Sequence, residues 1–349
     1  MSNRELSATA FERVKLALDT TFTISRGSTE RTTNHLVTVT DRAGRVGLGG
    51  AAPAAYYGED GDSVEAALPD LLGAVESVGD PTAQQDIERR LAEQAPDEAA
   101  ARAAVSIAVQ GLVAKQRNEP LYRAWGLSPD RAPVTSVTVG IDDPAAMAER
   151  ARAWREAGYP ALKVKLGTDN DRARLRAVRE AAPEASLRVD ANGDWSTDEA
   201  LDALSWLADL DVALLEQPVP ADTHAGLQRV TEAAPMPVAA DESCVTATDV
   251  PDIADAVDVV VVKLMKCGGL RPAHRQILTA HAHGLDAMLG CMVETSASIA
   301  AAAHLGPLVT YADLDGALLV ADDPCTGPSL AGGHLDLAGV ESGTGARRR

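Results

Sequence analysis

The sequence predicts an α/β protein, a parallel barrel preceded by a smaller α+β domain. From about residue 134, short apolar strands and amphipathic helices alternate with a repeat of about 25 residues. Such βα units imply a parallel sheet, and seven or eight of them close most economically into a barrel. The earlier residues instead run from strands into helices. A doubly wound open sheet is the alternative for the second part.

The capping domain is predicted over residues 1–125. Its segment "NHLVTVTDRAGRVGLGG" is typical of two strands joined by a turn at Asp41 to Gly44. Helical spacing follows in "TAQQDIERRLAEQ" and "AAARAAVSIAVQGLVAKQ". We expect residues 318–349 to return to this domain and complete it, with the final "GTGARRR" disordered.

The barrel is predicted over residues 126–317. Its eight strands are expected in "SVTVGI", "ALKVKL", "SLRVDA", "VALLEQ", "PVAADE", "VVVVKL", "DAMLG" and "VTYADL". Helices between them are expected in segments such as "PAAMAERARAWREAG", "ALDALSWLADL" and "RPAHRQILTAHAHG".

The composition limits the partners of this protein. The chain has 32 Lys and Arg against 51 Asp and Glu, a net charge of -19, which would repel nucleic acids and acidic membranes. The charged start "MSNRELSATA" and the lack of ~18 consecutive apolar residues predict a cytoplasmic location. Its four cysteines form no C-x-x-C pair and are expected to be reduced. A small-molecule substrate is expected, and a homo-oligomer is left open.

Charged residues end five successive barrel strands. Lys165 ends the second strand, Asp190 the third, Glu216 the fourth, Asp241 the fifth and Lys263 the sixth. Because consecutive strand ends meet at the carboxyl-terminal rim, three carboxylates should converge there between two lysines. Each acid alone could start a turn or cap a helix. Together, an all-oxygen set predicts a Mg²⁺ site.

The motif "KVK" places two lysines on one side of the second barrel strand, since side chains alternate. The chain has six lysines, which are Lys15, Lys115, Lys163, Lys165, Lys263 and Lys266. A lysine becomes a usable base when a nearby ammonium or divalent cation disfavours its charged form. We therefore expect Lys163 and a metal ion to lower the pKa of Lys165. Protection of an edge strand is the alternative, although a closed barrel has no edge.

The motifs "KVK", "VDANG", "LEQP", "ADES" and "KLMKCGG" together resemble the enolase superfamily, in its muconate-lactonizing subgroup, over nearly the whole chain. The resemblance implies a modified (β/α)7β barrel of the TIM type, with cap loops near residues 22–31 and 53–60 covering the site. It also implies proton abstraction beside a carboxylate, giving an enediolate stabilised by Mg²⁺, with a lysine as base. In "KLMKCGG" it assigns the catalytic role to Lys263 and leaves Lys266 on the rim.

Two further segments resemble the dipeptide epimerase family of this subgroup, "DLDG" at the eighth strand and "GCMVETSASIAA" at the seventh. The resemblance implies that Asp313 and Asp315 hold the α-ammonium of a dipeptide. It implies a Mg²⁺-dependent 1,1-proton transfer between Lys165 and Lys263 at the α-carbon of the C-terminal residue.

Further substrate-binding candidates are Lys163, Arg26 and Thr138. Arg26 could pair with an acidic substrate side chain or serve equally as a structural residue of the cap loop. The alternatives are a muconate-type cycloisomerase, an o-succinylbenzoate synthase or an N-acylamino acid racemase of the same subgroup. Their acids carry no ammonium, so Asp313 and Asp315 would have no partner. A non-catalytic binding protein is a third class.

Overall fold

The computed structural model describes residues 3–349. Its first part is an antiparallel sheet in the order β1-β2-β3. These strands are β1 (Leu6–Ile24), β2 (Gly27–Asp41) and β3 (Val46–Ala51). The antiparallel meander expected within residues 1–60 is confirmed: the two strands predicted around the turn at Asp41 are β2 and β3, and the long β1 precedes them. Its hairpin with β2 ends in the pair Ile24 and Gly27.

Four helices follow the three-stranded sheet. They are α1 (Gly61–Val78), α2 (Gln84–Gln94), α3 (Ala99–Arg117) and α4 (Leu121–Ala124). The buried face of α3 packs closely on β3 at two glycines. A Cβ at Gly47 would lie 1.9 Å from the carbonyl oxygen of Ala108, and one at Gly49 would lie 2.0 Å from that of Ala104. The glycines of "GLGG" therefore permit close helix-to-strand packing.

The second part is an eight-stranded parallel sheet whose spatial order follows the chain. Its strands are β4 (Val137–Val139), β5 (Ala161–Lys165), β6 (Ser186–Asp190), β7 (Val212–Glu216), β8 (Val238–Ala240), β9 (Val259–Val262), β10 (Asp286–Leu289) and β11 (Tyr311–Ala312). All eight predicted strands are confirmed. A parallel bridge from Thr135 to Ala312 joins the first and last strands, so the sheet curls into a barrel and the open-sheet alternative is wrong.

Helices lie between the barrel strands and follow them. They are α5 (Pro144–Glu156), α6 (Asp171–Ala181), α7 (Thr197–Asp209), α8 (His224–Ala233), α9 (Val250–Ile253), α10 (Leu264–Cys267), α11 (Leu270–Ala282) and α12 (Ser296–Ala303). The strands are buried on both faces, which explains their continuous apolar runs. Within residues 3–349, no helix combines the length and the hydropathy needed to cross a bilayer.

The C-terminal segment reaches back to β1. Val320 forms an antiparallel bridge with Leu18, and Arg348 lies 2.9 Å from the carboxylate of Glu12. The prediction of a disordered "GTGARRR" is wrong, because β13 (Arg347–Arg348) pairs with β12 (Cys325–Thr326). The division into residues 1–125 with 318–349 and residues 126–317 stays a prediction, which these contacts support.

Candidate active site

The charged strand ends lie side by side, as predicted. Lys165 is in register with Asp190 across β5 and β6, and Asp190 is in register with Glu216 across β6 and β7. Asp241 directly follows β8 and Lys263 directly follows β9. All five side chains are buried at the carboxyl-terminal end of the barrel.

Lysine ammonium groups face these carboxylates. Lys165 Nζ lies 2.6 Å from Asp190 Oδ2, and Lys263 Nζ lies 2.7 Å from Asp241 Oδ2. Burial alone would raise the pKa of both acids, but the adjacent lysines outweigh it and hold both pKa values below their ordinary range. The candidate bases are thus ion-paired with candidate metal ligands.

Lys163 lies at the centre of the cluster with a side chain that is 1% exposed. Its Nζ is 3.1 Å from Asp190, 2.8 Å from Glu216 and 2.9 Å from Asp313. Burial opposes the charged form, but these carboxylates, led by Asp313, raise the pKa of Lys163 well above its usual value. Asp241 similarly raises the pKa of Lys263 against the effect of burial. Lowering of a lysine pKa by a divalent cation stays a prediction.

Among the three candidate metal ligands, Glu216 is the carboxylate whose negative charge is least compensated by the neighbouring lysines. Burial, reinforced by Asp190, raises its pKa to about 8. Its Oε1 atom accepts a hydrogen bond from Lys163 at 2.8 Å, whereas Oε2, also 2.8 Å from that ammonium, accepts none from residues 3–349. Three buried carboxylates, of which Glu216 keeps an oxygen that accepts no hydrogen bond from the described residues, fit a hard divalent cation, which prefers oxygen ligands.

The carboxylate oxygens of Asp190, Glu216 and Asp241 point toward the neighbouring lysines. As they stand, no three His, Cys, Asp or Glu side chains among residues 3–349 are grouped as ligands of one ion. Each of the three carboxylates is turned toward at least one ammonium instead. The assignment of Asp190, Glu216 and Asp241 as metal ligands stays a prediction that rests on their donor chemistry and burial.

The prediction that Lys266 lies on the rim is wrong. Its side chain is fully buried, and its Nζ lies 2.6 Å from Asp241 Oδ1. α10 is a single helical turn, and from it the Lys266 side chain reaches Asp241 and the carbonyl of Val261. The i, i+3 spacing of Lys263 and Lys266 places both on one face of a helical turn, and this was the sequence signal that could have indicated a shared partner.

The two acids of "DLDG" have different surroundings. Asp313 accepts from Ser136 Oγ at 2.7 Å and pairs with Lys163. Burial alone would raise the pKa of Asp313, but Lys163 brings it below its ordinary value. Asp315 accepts from the backbone N–H of Thr138 at 2.6 Å, so Thr138 reaches the site through its main chain. Burial and the charge of Asp313 raise the pKa of Asp315 to about 7.

Arg26, at the tip of the β1–β2 hairpin, reaches the barrel. Its guanidinium donates to Glu242 Oε1 at 2.7 Å and to the carbonyl of Asn192 at 2.8 Å. It also lies 4.4 Å from the ring centre of Tyr56 in the second cap loop. Arg26 therefore ties both cap loops to the barrel mouth. The Asn192 side chain also accepts from Lys165 at 3.3 Å, a contact that the sequence did not predict.

A cavity of about 230 Å³ opens above these groups. The cap contributes Phe22, Ile24, Thr29, Thr32, Pro53 and Ala54 to its wall, in agreement with the two loops expected to cover the site. The barrel contributes the predicted residues Lys163, Lys165, Lys263, Thr138, Asp313 and Asp315. Arg26 also lines it, so the candidate bases and the candidate substrate-binding residues share one cavity.

A closed parallel barrel with acids and lysines at its strand ends, roofed by the loops of a second unit, is the architecture of a TIM-type barrel enzyme. The particular family follows from comparison with known proteins. The chain belongs to the enolase C-terminal domain-like family, whose model matches residues 146–342. This confirms the resemblance to the enolase superfamily.

Several relatives match over most of their length. The chain is 37% identical to an L-Ala-D/L-Glu epimerase of Bacteroides thetaiotaomicron, covering 93% of this chain and 85% of that one. It is 40% identical to a hydrophobic dipeptide epimerase of Roseobacter litoralis, covering 89% and 90%. A dipeptide epimerase structure from Enterococcus faecalis, complexed with Mg and L-Leu-L-Tyr, matches with a TM-score of 0.92 and 33% identity, covering 99% and 100%.

Proposed function

We propose that this protein is a Mg²⁺-dependent dipeptide epimerase, an isomerase that inverts the α-carbon of the C-terminal residue. The observation that carries the proposal is one cavity lined by two lysines, Lys165 and Lys263, and by two acids, Asp313 and Asp315. Paired bases suit proton removal and return, and the acids suit a substrate ammonium. The relatives named as epimerases of dipeptides support the same reaction.

The metal site would be formed by Asp190, Glu216 and Asp241. When bound there, Mg²⁺ supplies positive charge that favours the negative charge growing on the substrate carboxylate as the α-proton leaves. The buried position of the three acids keeps water from weakening that interaction.

Proton transfer would fall to the two lysines. One of them, as a neutral amine, takes the α-proton, while the other, as an ammonium, delivers a proton to the opposite face of the same carbon. Asp190 holds the Lys165 ammonium and Asp241 holds the Lys263 ammonium, each within 2.7 Å. These contacts fix the direction from which each lysine approaches the carbon.

Substrate orientation would depend on Asp315 most of all. Among residues 3–349, no lysine, arginine or histidine pairs with Asp315, whereas Asp313 is paired with Lys163. A buried carboxylate without a cation partner favours a ligand that brings its own positive charge. The N-terminal ammonium of a dipeptide provides that charge.

The same observation argues against the alternatives. The substrates of a muconate-type cycloisomerase, an o-succinylbenzoate synthase or an N-acylamino acid racemase have no ammonium to place beside Asp315. Their carboxylates would be repelled by it instead. The proton-transfer chemistry is shared, so the substrate ammonium is the feature that separates these functions.

A dipeptide library incubated with the protein and Mg²⁺ in D₂O tests the proposal. We expect a one-deuteron mass gain at the C-terminal residue of some L,L-dipeptides, together with formation of their L,D-isomers. EDTA should stop the exchange and added Mg²⁺ should restore it. No exchange into any dipeptide, combined with exchange into N-succinyl or N-acetyl amino acids, would overturn the assignment.

We also propose a cytoplasmic location. The four cysteines, all of them described, form no disulfide, which is typical of a reducing compartment. Assembly into a homo-oligomer stays a prediction, to be measured by light scattering.

A further inference from the structure

The Lys266 ammonium has more oxygen neighbours than it has N–H groups to donate. Four oxygens surround its Nζ: Asp241 O at 2.5 Å, Asp241 Oδ1 at 2.6 Å, Cys244 O at 2.9 Å and Val261 O at 2.9 Å. An ammonium has only three N–H donors, so none is left for a substrate. Lys266 also does not line the cavity, whereas Lys263 does.

Lys266 connects β8 and β9 one residue beyond their last backbone pair. The β8–β9 pairing ends with Ala240 opposite Val260. Lys266 then joins the next residues on both sides, because it binds the carbonyls of Asp241 and Val261 together. The strand end that carries the Asp241 carboxylate is therefore fixed to the strand that leads into Lys263.

The two lysines divide the Asp241 carboxylate between them. Lys266 occupies Oδ1 at 2.6 Å, and Lys263 occupies Oδ2 at 2.7 Å. A carboxylate held at one oxygen cannot rotate freely, so its second oxygen keeps a fixed direction toward Lys263. The Lys263 ammonium follows that direction.

We propose that Lys266 is a positioning residue, which fixes the Asp241 carboxylate and thereby aims Lys263 at the substrate. This inference rests on the proposed function for the role of Lys263 as a base. Lys266 has no counterpart at Lys165, whose partner Asp190 is bound by Lys163 from within the cavity. The effect of Lys266 should therefore be specific to one of the two proton transfers.

Deuterium exchange into L-Ala-L-Leu and L-Ala-D-Leu provides the test. Lys165→Ala and Lys263→Ala first show which configuration each lysine serves. Lys266→Met should then slow the exchange served by Lys263 by at least about tenfold more than the exchange served by Lys165, because misplacing a reacting group by a fraction of an ångström has effects of this size. Equal slowing of both exchanges would overturn the proposal, because a merely structural role predicts it.

Lys115→Met is the matched control. Lys115 is a partly buried lysine of α3 whose Nζ donates to the carbonyl of Val46 at 2.7 Å and, within the described part of the chain, forms no ion pair with a carboxylate. Its loss should lower the melting temperature without changing the ratio of the two exchange rates. If Lys266→Met does not fold, Lys266→Gln is the second variant: it keeps an N–H donor but is shorter and uncharged, so it should shift that ratio in the same direction by a smaller factor.

A crystal structure of Lys266→Met decides the proposal even if no dipeptide is exchanged. A rotated Asp241 carboxylate, with Lys263 displaced from Oδ2, supports the positioning role. An Asp241 carboxylate and Lys263 in unchanged positions would overturn it. Failure of the proposed function and failure of this inference therefore give different results.

Discussion

The ammonium of Lys163 lies 2.9 Å from Asp313, whereas Asp315, two residues further on, has no cation partner among the described residues. The two acids of the last barrel strand are therefore not equivalent. Asp313 belongs to the buried charge network around Lys163, and Asp315 is the acid free to pair with a ligand.

This difference predicts unequal effects of neutralising the two acids. Asp315→Asn should lower kcat/KM for a free dipeptide by about 10- to 100-fold, the value of a charge-assisted hydrogen bond of roughly 1.5–3 kcal/mol. It should change the turnover of the N-acetylated dipeptide little. Asp313→Asn should preserve the preference for the free dipeptide, and loss of that preference in both variants alike would contradict the assignment.

The pKa of Asp315, raised to about 7 by burial and by Asp313, predicts a pH dependence. Only the ionised carboxylate attracts an ammonium, so KM for a free dipeptide should fall as pH rises through about 7. Asp315→Asn should abolish this trend. A KM that is independent of pH between about 6 and 8 in the wild type would argue against the role of Asp315.

The raised pKa of Asp315 also predicts how stability depends on pH: raising the pH should favour substrate binding but lower the free energy of unfolding. Between the ordinary pKa of an aspartate, near ~3.9, and a folded value of about 7, the native state binds the proton more tightly than the unfolded state does. The Asp315 contribution to the free energy of unfolding should therefore fall as pH rises through this window. Urea titrations of the wild type and Asp315→Asn would measure the difference.

Gly290, directly after β10, leaves the space that Lys263 occupies. A Cβ there would lie 2.9 Å from Lys263 Cε and 3.0 Å from Val261 Cγ1. Gly290→Ala should displace Lys263, slow its exchange reaction by at least about tenfold and destabilise the fold by about 1–3 kcal/mol. Gly73→Ala is the control, since nothing lies within 4 Å of its added Cβ in α1, and it should leave activity unchanged. Equal activities of the two variants would contradict this account of Lys263.

The pairing of Arg26 with Glu242 predicts that an acidic C-terminal side chain of the substrate gains little from Arg26. Because its charge is already paired at 2.7 Å, Arg26 should give L-Ala-L-Glu little advantage over the isosteric L-Ala-L-Gln. Glu242→Gln should free the guanidinium and raise the Glu-to-Gln ratio of kcat/KM, and adding Arg26→Gln should cancel that gain. A wild-type enzyme that prefers L-Ala-L-Glu by tenfold would show instead that Arg26 reads the substrate.

The barrel strands and their terminal charges were predictable because their signal is local. A strand buried on both faces is a largely apolar run, as in "VVVV" of β9, where the first charge, Lys263, marks the end of the strand. Register between neighbouring strands then follows from the βα repeat. Lys165, Asp190 and Glu216 lie beside one another for this reason.

The pairing of individual charges was not predictable, since it depends on how far side chains reach across the barrel. Nothing in the spacing indicates that Lys163 binds Asp313, 150 residues away. Lys266 was placed on the rim because one helical turn looks like any helix start in sequence. The C-terminal strand pair escaped prediction because Arg348 and its partner Cys325 lie in segments whose own composition favours disorder.

The contact between Arg348 and Glu12 spans 336 residues of sequence. Closing a loop of that length has a high entropic cost, so contacts of this kind form late in folding and slow it. The hairpin that carries Arg26 belongs to the strand held by this contact. We therefore expect the barrel to acquire its native structure before the roof of the cavity does. When refolding is monitored by tryptophan fluorescence, the change in fluorescence should then occur before catalytic activity recovers. The delay would be set by docking of the hairpin.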